Sequence, residues 1–194
     1  MQTAASPGRP HLGPPLGVEP DVAIVYQILH HFRDPIFRML TVPRDGAPRY
    51  TLYASPINNI DDNRTLDPKR AEIAPQQGGL RWRFLRNLPL GGPFLWQCGV
   101  IRAATRPDHD VIVFLGNMYY LSTWLGAVAA RIRGKRVLFW GHGYTRAERN
   151  MKGWLRERFY RLGHGFLLYG DRARRFLEER DFPRASIYVV YNSI

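Results

Sequence analysis

The stretch DVIVFLGNMYYLSTWLGAVAARIRGKRVLFWGHG, residues 110–143, decides the fold of this chain. Val111–Leu115 is a continuous apolar run, which is typical of a strand buried on both faces. Residues 119–132 are apolar nearly all round and predict a buried helix, which Gly134 ends as a C-terminal cap. Residues 136–140 predict a second strand, so the stretch forms a strand–helix–strand unit.

The same alternation extends in both directions from this unit. Further strands are predicted at 22–29, 50–54, 80–85, 165–169 and 187–191, and further helices at 36–40, 93–104, 148–162 and 172–180. The polar segment 55–79 is predicted to be a long loop. Alternating strands and helices specify a parallel sheet with helices on both faces, so we expect a doubly wound, Rossmann-like α/β domain.

Composition limits the class of protein. Hydrophobic residues make up 45% of the 194 residues, enough for a packed core, which excludes a wholly disordered chain. The single cysteine, Cys98, excludes an intramolecular disulfide framework and a cysteine-rich zinc site. The net charge of +12, mostly from arginine, indicates an anionic partner: nucleic acid, a membrane surface or a phosphorylated substrate.

Neither a secretory signal nor a membrane span is evident. Residues 1–20 are rich in proline and glycine and lack an apolar core, so we expect a disordered leader followed by one domain over 21–194. The apolar stretch 111–130 breaks at Gly116-Asn117, and each half is shorter than the about 20 residues that a spanning helix needs. We therefore expect a cytoplasmic protein, soluble or peripheral on the inner membrane face.

The residues that follow each predicted strand form the candidate cleft, because doubly wound sheets bind ligands beyond the carboxyl ends of their strands. Gly141-His142-Gly143 directly follows the strand that ends at residue 140. The glycines allow a sharp turn and a close ligand approach, and the histidine can hydrogen-bond substrate or phosphate. A structural turn with a solvated histidine has the same pattern. The other candidate cleft residues are Arg33, Gly116, Asn117, Tyr119, Tyr144, Tyr169, Gly170 and Asn192.

Some of these residues have simpler explanations than ligand binding. Asn117 can hydrogen-bond a sugar hydroxyl, but capping the next helix is the commoner use of such a residue. Arg33 can contact an anion or be an ordinary surface arginine. The adjacent His30 and His31 point to opposite sides of a strand end and cannot chelate one metal by that spacing. We expect no metal and no cofactor.

Other motifs argue against competing classes of enzyme. Asp108-His-Asp110 resembles an Asp-x-Asp metal signature, but it precedes a strand and so lies at the wrong end of the sheet. Asp61-Asp62 in the long loop is expected to be solvated. The sequence has no Gly-x-Gly-x-x-Gly, Walker loop or Gly-x-Ser-x-Gly, which disfavours independent dinucleotide or ATP binding and an α/β-hydrolase.

Arginine interleaved with aromatic residues in the segment 80–88 predicts a surface that rests on anionic lipid. The membrane-facing candidates are Arg81, Trp82, Arg83, Phe84 and Arg86. The helix 148–162 is also basic and amphipathic, but a doubly wound fold favours packing of its apolar stripe on the sheet. That stripe consists of Met151, Trp154, Leu155, Phe159 and Leu162. Nucleic-acid binding is the other interpretation of such a surface, and because no nucleic-acid module is visible, we expect none.

The ordered series of motifs resembles the N-terminal half of family-4-like, GT-B glycosyltransferases. The resemblance rests on DVIVFLGN (110–117), STWL (122–125), VLFWGHG (137–143), GFLLYG (165–170) and VVYNSI (189–194). The early RDPIF, which starts at Arg33, resembles an Arg-x-Pro-Phe-Phe segment of that group. The similarity spans roughly 22–194. It implies two Rossmann-like domains, of which this chain matches the acceptor-side half and stops at the junction to the donor-binding domain.

The resemblance also implies a reaction, namely glycosyl transfer from a nucleotide-sugar with retained anomeric configuration, usually without a catalytic metal. A family histidine that contacts the donor sugar matches His142, and Gly141 and Gly143 shape its loop. Such enzymes stabilise the leaving diphosphate and the oxocarbenium-like sugar electrostatically, and Arg33 with a basic cleft can assist. Where many members have a Gly-Gly turn after the first strand, this sequence has HHFR, residues 30–33.

The sequence thus predicts the acceptor-side half of a retaining glycosyltransferase with a nucleotide-sugar donor and a lipid-linked or polysaccharide acceptor. The donor-binding domain is absent or supplied by a partner chain, and the isolated chain is expected to be inactive. The alternative is a non-catalytic α/β module that binds anionic membrane or a partner subunit.

Overall fold

A computed structural model describes residues 19–59, 63–144, 146 and 150–191. Most of the predicted leader, Asp61-Asp62 and Asn192 lie outside these residues. The strands are β1 Asp21–Ile28, β2 Arg49–Ser55, β3 Trp82–Phe84, β4 Arg86–Pro89, β5 Leu95–Cys98, β6 Val111–Leu115, β7 Arg136–Gly141, β8 Gly165–Leu168 and β9 Ile187–Val189. The helices are α1 Asp34–Thr41, α2 Val100–Thr105, α3 Leu121–Ile132, α4 Met151–Tyr160 and α5 Asp171–Glu178.

Seven strands form one parallel sheet in the order β3-β2-β1-β6-β7-β8-β9. The chain winds outward from β1 to β3, crosses to β6 and winds outward in the other direction to β9. β1 and β6 are therefore neighbours, with Val22 opposite Val111. This is the doubly wound topology predicted from the sequence, and its switch point lies between β1 and β6.

The two winding directions bury two separate cores, because right-handed crossovers place the helices of each half on opposite faces of the sheet. On one face, Phe37 of α1 packs with Ile24 and Leu52. On the other face, Phe159 of α4 and Leu177 of α5 share a core with residues of β6, β7 and β8. Alternate residues of each central strand point into opposite cores, which explains why these strands read as continuous apolar runs.

The helices α3 and α4 are less buried than predicted. The face of α3 against its neighbours consists of small residues, and a Cβ on Gly126 would lie 2.8 Å from Val100 Cγ1, so the backbone packs closely. The larger side chains then point outward, and the exposed ones are Leu121, Leu125, Val128 and Ile132. In α4 only the second half of the apolar stripe is buried, whereas Met151, Trp154 and Leu155 are exposed.

The segment 93–104, predicted as one helix, contains a strand and a short helix. Leu95–Cys98 pairs antiparallel with Arg86–Pro89, and only Val100–Thr105 is helical. Gly91 and Gly92 turn the hairpin with φ of 94° and 53°, a backbone conformation that glycine adopts without strain. A buried amide fixes the hairpin to β1, because Gln97 Nε2 donates to the Tyr26 carbonyl at 3.0 Å.

The loop 55–79 and the edge strand also differ in part from expectation. The loop contains two 3₁₀ turns, Pro68–Ala71 and Pro75–Gln77, and Asp67 caps the first by accepting from the Lys69 amide. β3 lies at the edge of the sheet as predicted. Trp82, predicted to face a membrane, is only 6% exposed, and its indole N–H donates to the Ala54 carbonyl. Within the described residues, no helix has the length and apolarity needed to cross a bilayer.

Candidate functional site

An open cleft of about 710 Å³ lies at the carboxyl ends of the central strands, at the switch point of the sheet. The sequence-predicted residues that line it are Arg33, Gly116, Asn117, Tyr119, Gly141, His142, Gly143 and Tyr169. Residues of β1, β6 and β7 and the segments that follow them are thus brought together, as the parallel topology requires.

Arg33 lies at the base of this cleft, and it is not a surface arginine. The residue is 4% exposed, and its guanidinium carbon lies 5.4 Å from the ring centroids of both Trp140 and Tyr169 and 5.7 Å from those of Tyr26 and Phe32. Its Nη2 donates to the Tyr169 hydroxyl at 3.1 Å. Aromatic faces attract a cation, and partial removal of water strengthens that attraction, so the rings hold the charge at the cleft floor.

Two of these four rings also carry polar groups at the cleft floor. Burial, together with the nearby Tyr169 hydroxyl, raises the pKa of Tyr26 above its usual range, so the phenol stays protonated and remains a donor. The indole N–H of Trp140 is buried and has no hydrogen-bond partner among the described residues. Such an unsatisfied donor costs about 1–3 kcal/mol, which a ligand acceptor or a water molecule would offset.

The loop after β7 carries His142 to the cleft wall. His142 is exposed, and its ring meets the Tyr169 ring edge-on at a centroid distance of 4.8 Å. Gly143 has a φ of +60°, and a Cβ there would lie 3.1 Å from Ala173 Cβ and from Leu168 Cδ2. Both the conformation and the space therefore favour glycine at this position.

Asn117 and Tyr119 lie on the opposite side of the cleft, between β6 and α3. The Asn117 side-chain oxygen accepts from the Tyr119 amide at 3.1 Å, so this asparagine stabilises the turn that leads into α3. The Tyr119 ring contacts Phe94 edge-on at 5.6 Å, and Lys152 Nζ lies 5.6 Å from the ring centroid.

The described lining of the cleft carries cations and no carboxylate. Arg33 and Arg156 contribute fixed positive charge, and His30 and His142 add imidazole rings that can hydrogen-bond a ligand. His30 stacks on Phe32, whereas His31 turns away and its Nδ1 hydrogen-bonds the Arg64 carbonyl. The site therefore favours an anionic ligand with a planar or apolar part that can contact aromatic rings.

Two predicted cleft residues lie elsewhere. Tyr144 is 1% exposed and packs on Tyr160, with the Arg180 guanidinium 4.2 Å from its ring centroid. Its side chain lies in the same core as Phe159 and Phe166. Gly170 does not line the cleft and instead precedes α5 as its N-terminal cap residue.

The acidic pair predicted to lie away from the cleft is at the amino ends of the strands. Asp110 accepts from the Asp21 amide at 2.9 Å, and Asp108 pairs with Arg106. The hydrogen bond from Arg106 lowers the pKa of Asp108 to about 2. Among the described residues, no three His, Cys, Asp or Glu side chains come together to hold a metal ion.

Sequence reasoning missed part of the cleft. Tyr26 and Trp140 sit within strands, and Arg156 sits within α4, so a search restricted to residues after strand ends passes over them. A usable signal was the pair of aromatic residues at corresponding late positions of β1 and β7, where a parallel sheet brings side chains together.

No protein-family model matches the chain, and no curated protein matches it significantly in sequence. Solved structures match its fold. A UDP-N-acetylglucosamine 2-epimerase from Listeria monocytogenes has a TM-score of 0.57 and 11% identity, over 88% of this chain and 44% of that protein. Anabaena HepE in complex with UDP and glucose has a TM-score of 0.54 and 14% identity, over 91% of this chain and 45% of that protein. The lipopolysaccharide outer core galactosyltransferase WaaB has a TM-score of 0.54 and 10% identity, over 90% of this chain and 46% of that protein.

These three proteins have GT-B-type folds, and the chain spans less than half the length of each. The likeness lies in the fold, since sequence identity is at most 14% among them. The seven-stranded parallel sheet, its flanking helices and these matches together give this chain the Rossmann-like α/β fold found in GT-B-type proteins.

Proposed function

We propose that the chain is the acceptor-side part of a glycosyltransferase that moves a sugar from a nucleotide-sugar to a lipid-linked or polysaccharide acceptor, with retention of configuration. It forms one wall of the catalytic cleft, and a further polypeptide region binds most of the donor. No metal or cofactor takes part. The isolated 194-residue chain is inactive because most of the donor site lies outside it.

One observation carries this proposal: the floor of the cleft is a buried arginine surrounded by aromatic rings. A nucleotide-sugar offers a diphosphate for Arg33 and apolar ring faces for Trp140 and Tyr169. As the anomeric C–O bond breaks, charge develops on the leaving diphosphate, and fixed cations in a partly dry site stabilise it. Arg156 adds a second positive charge at the rim.

His142 lies where it can act on the reacting sugar. It is exposed to the cleft, and the contact with Tyr169 orients its ring. A hydrogen bond from His142 to a sugar hydroxyl would hold the donor in position while the acceptor oxygen forms the new bond. The matched structures support this proposal in kind, because one is a galactosyltransferase and one contains UDP and glucose.

The test uses the Trp140 indole N–H, whose NMR signal is assigned by comparison with Trp140→Phe. We expect UDP-sugars to shift this signal in the full 194-residue chain, with ATP as the control nucleotide, and we expect no release of UDP. If no nucleotide-sugar shifts the Trp140 signal, the proposal is contradicted. Robust turnover by the chain alone would contradict the part of the proposal that places most of the donor site outside this chain. If the chain converts UDP-N-acetylglucosamine to its C2 epimer, the proposed function changes from sugar transfer to sugar epimerisation.

The alternative is a non-catalytic module that binds an anionic membrane or a partner subunit. The observation that favours it is the set of apolar residues exposed beside basic ones on α4. The same NMR titration separates the two, because a module of this kind leaves the Trp140 signal unchanged with every nucleotide-sugar.

A further inference from the structure

Three elements beside the cleft expose large apolar side chains. The tip of the β4–β5 hairpin exposes Leu90 and Phe94, and the first turns of α3 and α4 expose the rest. We call this set the mouth patch, and it consists of Leu90, Phe94, Leu121, Met151, Trp154 and Leu155. Met151 is 77% exposed and Trp154 is 53% exposed.

Contacts with the Tyr119 ring make the hairpin and α4 neighbours. Phe94 and Lys152 both lie against the Tyr119 ring, at 5.6 Å each, which joins the hairpin tip to the start of α4. Trp124 in the first turn of α3 and Phe159 in the last turn of α4 are 5.0 Å apart between ring centroids, so the start of α3 lies against the end of α4. The contact of Lys152 with Tyr119 and the position of Arg156 in the cleft lining place the first two turns of α4 beside the cleft.

The hydrophobic core does not explain these exposed residues. The core residues of α4 are Phe159 and Tyr160, and those of α3 are small residues. Scattered exposed apolar residues are ordinary, but a group of large ones on adjoining elements marks an interaction surface.

The charges around the mouth patch are mostly positive. The α4 sequence MKGWLRERFY and the following Arg161 contain four cations and one acid, Glu157, which pairs with Arg161 at 3.0 Å. The Arg158 guanidinium carbon lies 5.3 Å from the Trp154 ring centroid. Lysine and arginine beside exposed tryptophan and leucine suit a lipid interface, where the apolar groups enter the acyl boundary and the cations meet lipid phosphates.

We propose that the mouth patch docks the chain onto a bilayer that contains anionic lipid. The excess of cations around the mouth patch favours anionic lipid over a protein partner. The proposal relocates the membrane surface predicted at 80–88, where Trp82 is buried and only the arginines and Phe84 remain exposed. It deepens the proposed function and rests on it in one respect: docking here holds the cleft mouth at the level of a lipid-linked acceptor.

Trp154 provides a local reporter of docking. The chain has five tryptophans, all within the described residues, and only Trp154 is strongly exposed. We expect vesicles of equimolar phosphatidylcholine and phosphatidylglycerol to shift the tryptophan emission of the full chain to the blue and to sediment the chain. Phosphatidylcholine alone should do neither at physiological salt, because each basic residue gains its attraction from anionic lipid.

Variants locate the surface. Met151→Ser with Leu155→Ser should weaken vesicle binding roughly tenfold or more, and Lys152→Glu with Arg158→Glu should do the same. Met39→Ser, an exposed methionine of α1 on the opposite face of the sheet, is the matched control and should bind normally. Phe84→Ser tests the edge-strand surface and should also bind normally. Circular dichroism checks that each variant is folded.

Several outcomes would overturn the docking proposal. They are absence of binding to anionic vesicles, equal binding by the mouth-patch variants, loss of binding in Phe84→Ser alone, or binding to duplex DNA without binding to vesicles. The vesicle assay contains no nucleotide-sugar, so its failure leaves the Trp140 titration intact. Failure of that titration, in turn, leaves the vesicle result standing.

Discussion

Arg33 is the main reason to expect an anionic ligand, and its replacement tests that role. Arg33→Gln should weaken UDP-sugar binding about tenfold or more, because a charge-assisted contact to phosphate is lost. Arg33→Lys should recover only part of the affinity, since lysine keeps the charge but not the planar group that stacks between rings. Isothermal titration calorimetry measures both.

Arg83→Gln is the matched control for Arg33, because Arg83 is exposed on the edge strand and does not line the cleft. Unchanged affinity in Arg33→Gln, in a variant that melts like the parent, would remove Arg33 from the site.

His142 is predicted to affect turnover rather than stability. In the longer protein or complex that performs transfer, His142→Ala should lower kcat by about a hundredfold, which is typical for loss of a positioned catalytic group. The melting temperature should stay unchanged because the side chain is exposed. His31→Ala, whose side chain does not line the cleft, is the control. Equal turnover by the two variants would refute the role of His142.

Stability should fall with acid because of a buried histidine far from the cleft. Burial lowers the pKa of His109, whose Nε2 lies 2.8 Å from the Tyr53 hydroxyl. The unfolded chain therefore binds a proton at His109 below about pH 6.5 more readily than the folded chain does. Its stabilising contribution is present above that pH and is lost as the pH falls.

Urea unfolding between pH 7 and pH 5 measures this effect, and His109→Gln should have a shallower slope. His164 contributes in the same direction, because burial lowers its pKa and its Nδ1 accepts from the Val137 amide. His164→Gln separates the two contributions. An identical slope in His109→Gln would show that His109 does not titrate differently in the folded and unfolded states.

At this scale the sequence predicts residues that follow strands and misses residues inside elements. His142 and Arg33 were accessible because each follows a strand in an obvious turn. Trp140 and Tyr26 were not, because strand periodicity alone does not tell which late residue rises above the sheet edge. The prediction that Trp82 faces a membrane was wrong for a related reason. The arginine on each side suggested exposure, but side chains alternate along a strand, and that of Trp82 points into the core.

The described part of the β7–α4 loop depends on the glycine at position 143. Gly143→Ala should lower the free energy of unfolding by about 1–2 kcal/mol, because alanine is strained at positive φ and its Cβ would crowd Ala173 and Leu168. Gly116→Ala on the facing loop is the control, since its added Cβ would meet only ordinary contacts at 3.6 Å. Urea unfolding compares the two, and equal losses would contradict the strain at Gly143.

The central strands and most helices were predictable as elements, whereas the hairpin was not. Central strands such as Val111–Leu115 are buried on both faces, so their continuous apolar composition identifies them as strands. The segment 93–104 has mixed apolar and polar residues, and its strand exists because Gln97 and Asn87 find partners on β1. That tertiary hydrogen bonding overrides local propensity. The Gly91-Gly92 pair was the available signal for a turn.

At the scale of the whole molecule, the doubly wound topology places cleft, loops and mouth patch at one edge of the sheet. Every parallel strand ends at that edge, so the residues proposed to bind a ligand and those proposed to dock share it. The opposite edge holds Asp108, His109 and Lys135, whose Nζ donates to the Arg106 and His109 carbonyls. The predicted effect of His142 on turnover and that of His109 on stability should therefore be separable by mutation.

The switch point between β1 and β6 also governs how the chain must fold. Asp21 and Asp110 lie 89 residues apart in sequence, yet the Asp21 amide donates to the Asp110 carboxylate across this junction. During synthesis, β1 emerges before β6, and one apolar edge of β1 stays unpaired until the 89 residues that separate Asp21 from Asp110 have been made. Such long-range parallel pairing is slow to form, because a large loop must close before any contact offsets its entropy. The rate-limiting event in refolding should thus be the joining of the two halves, and the waiting edge of β1 is where aggregation would start.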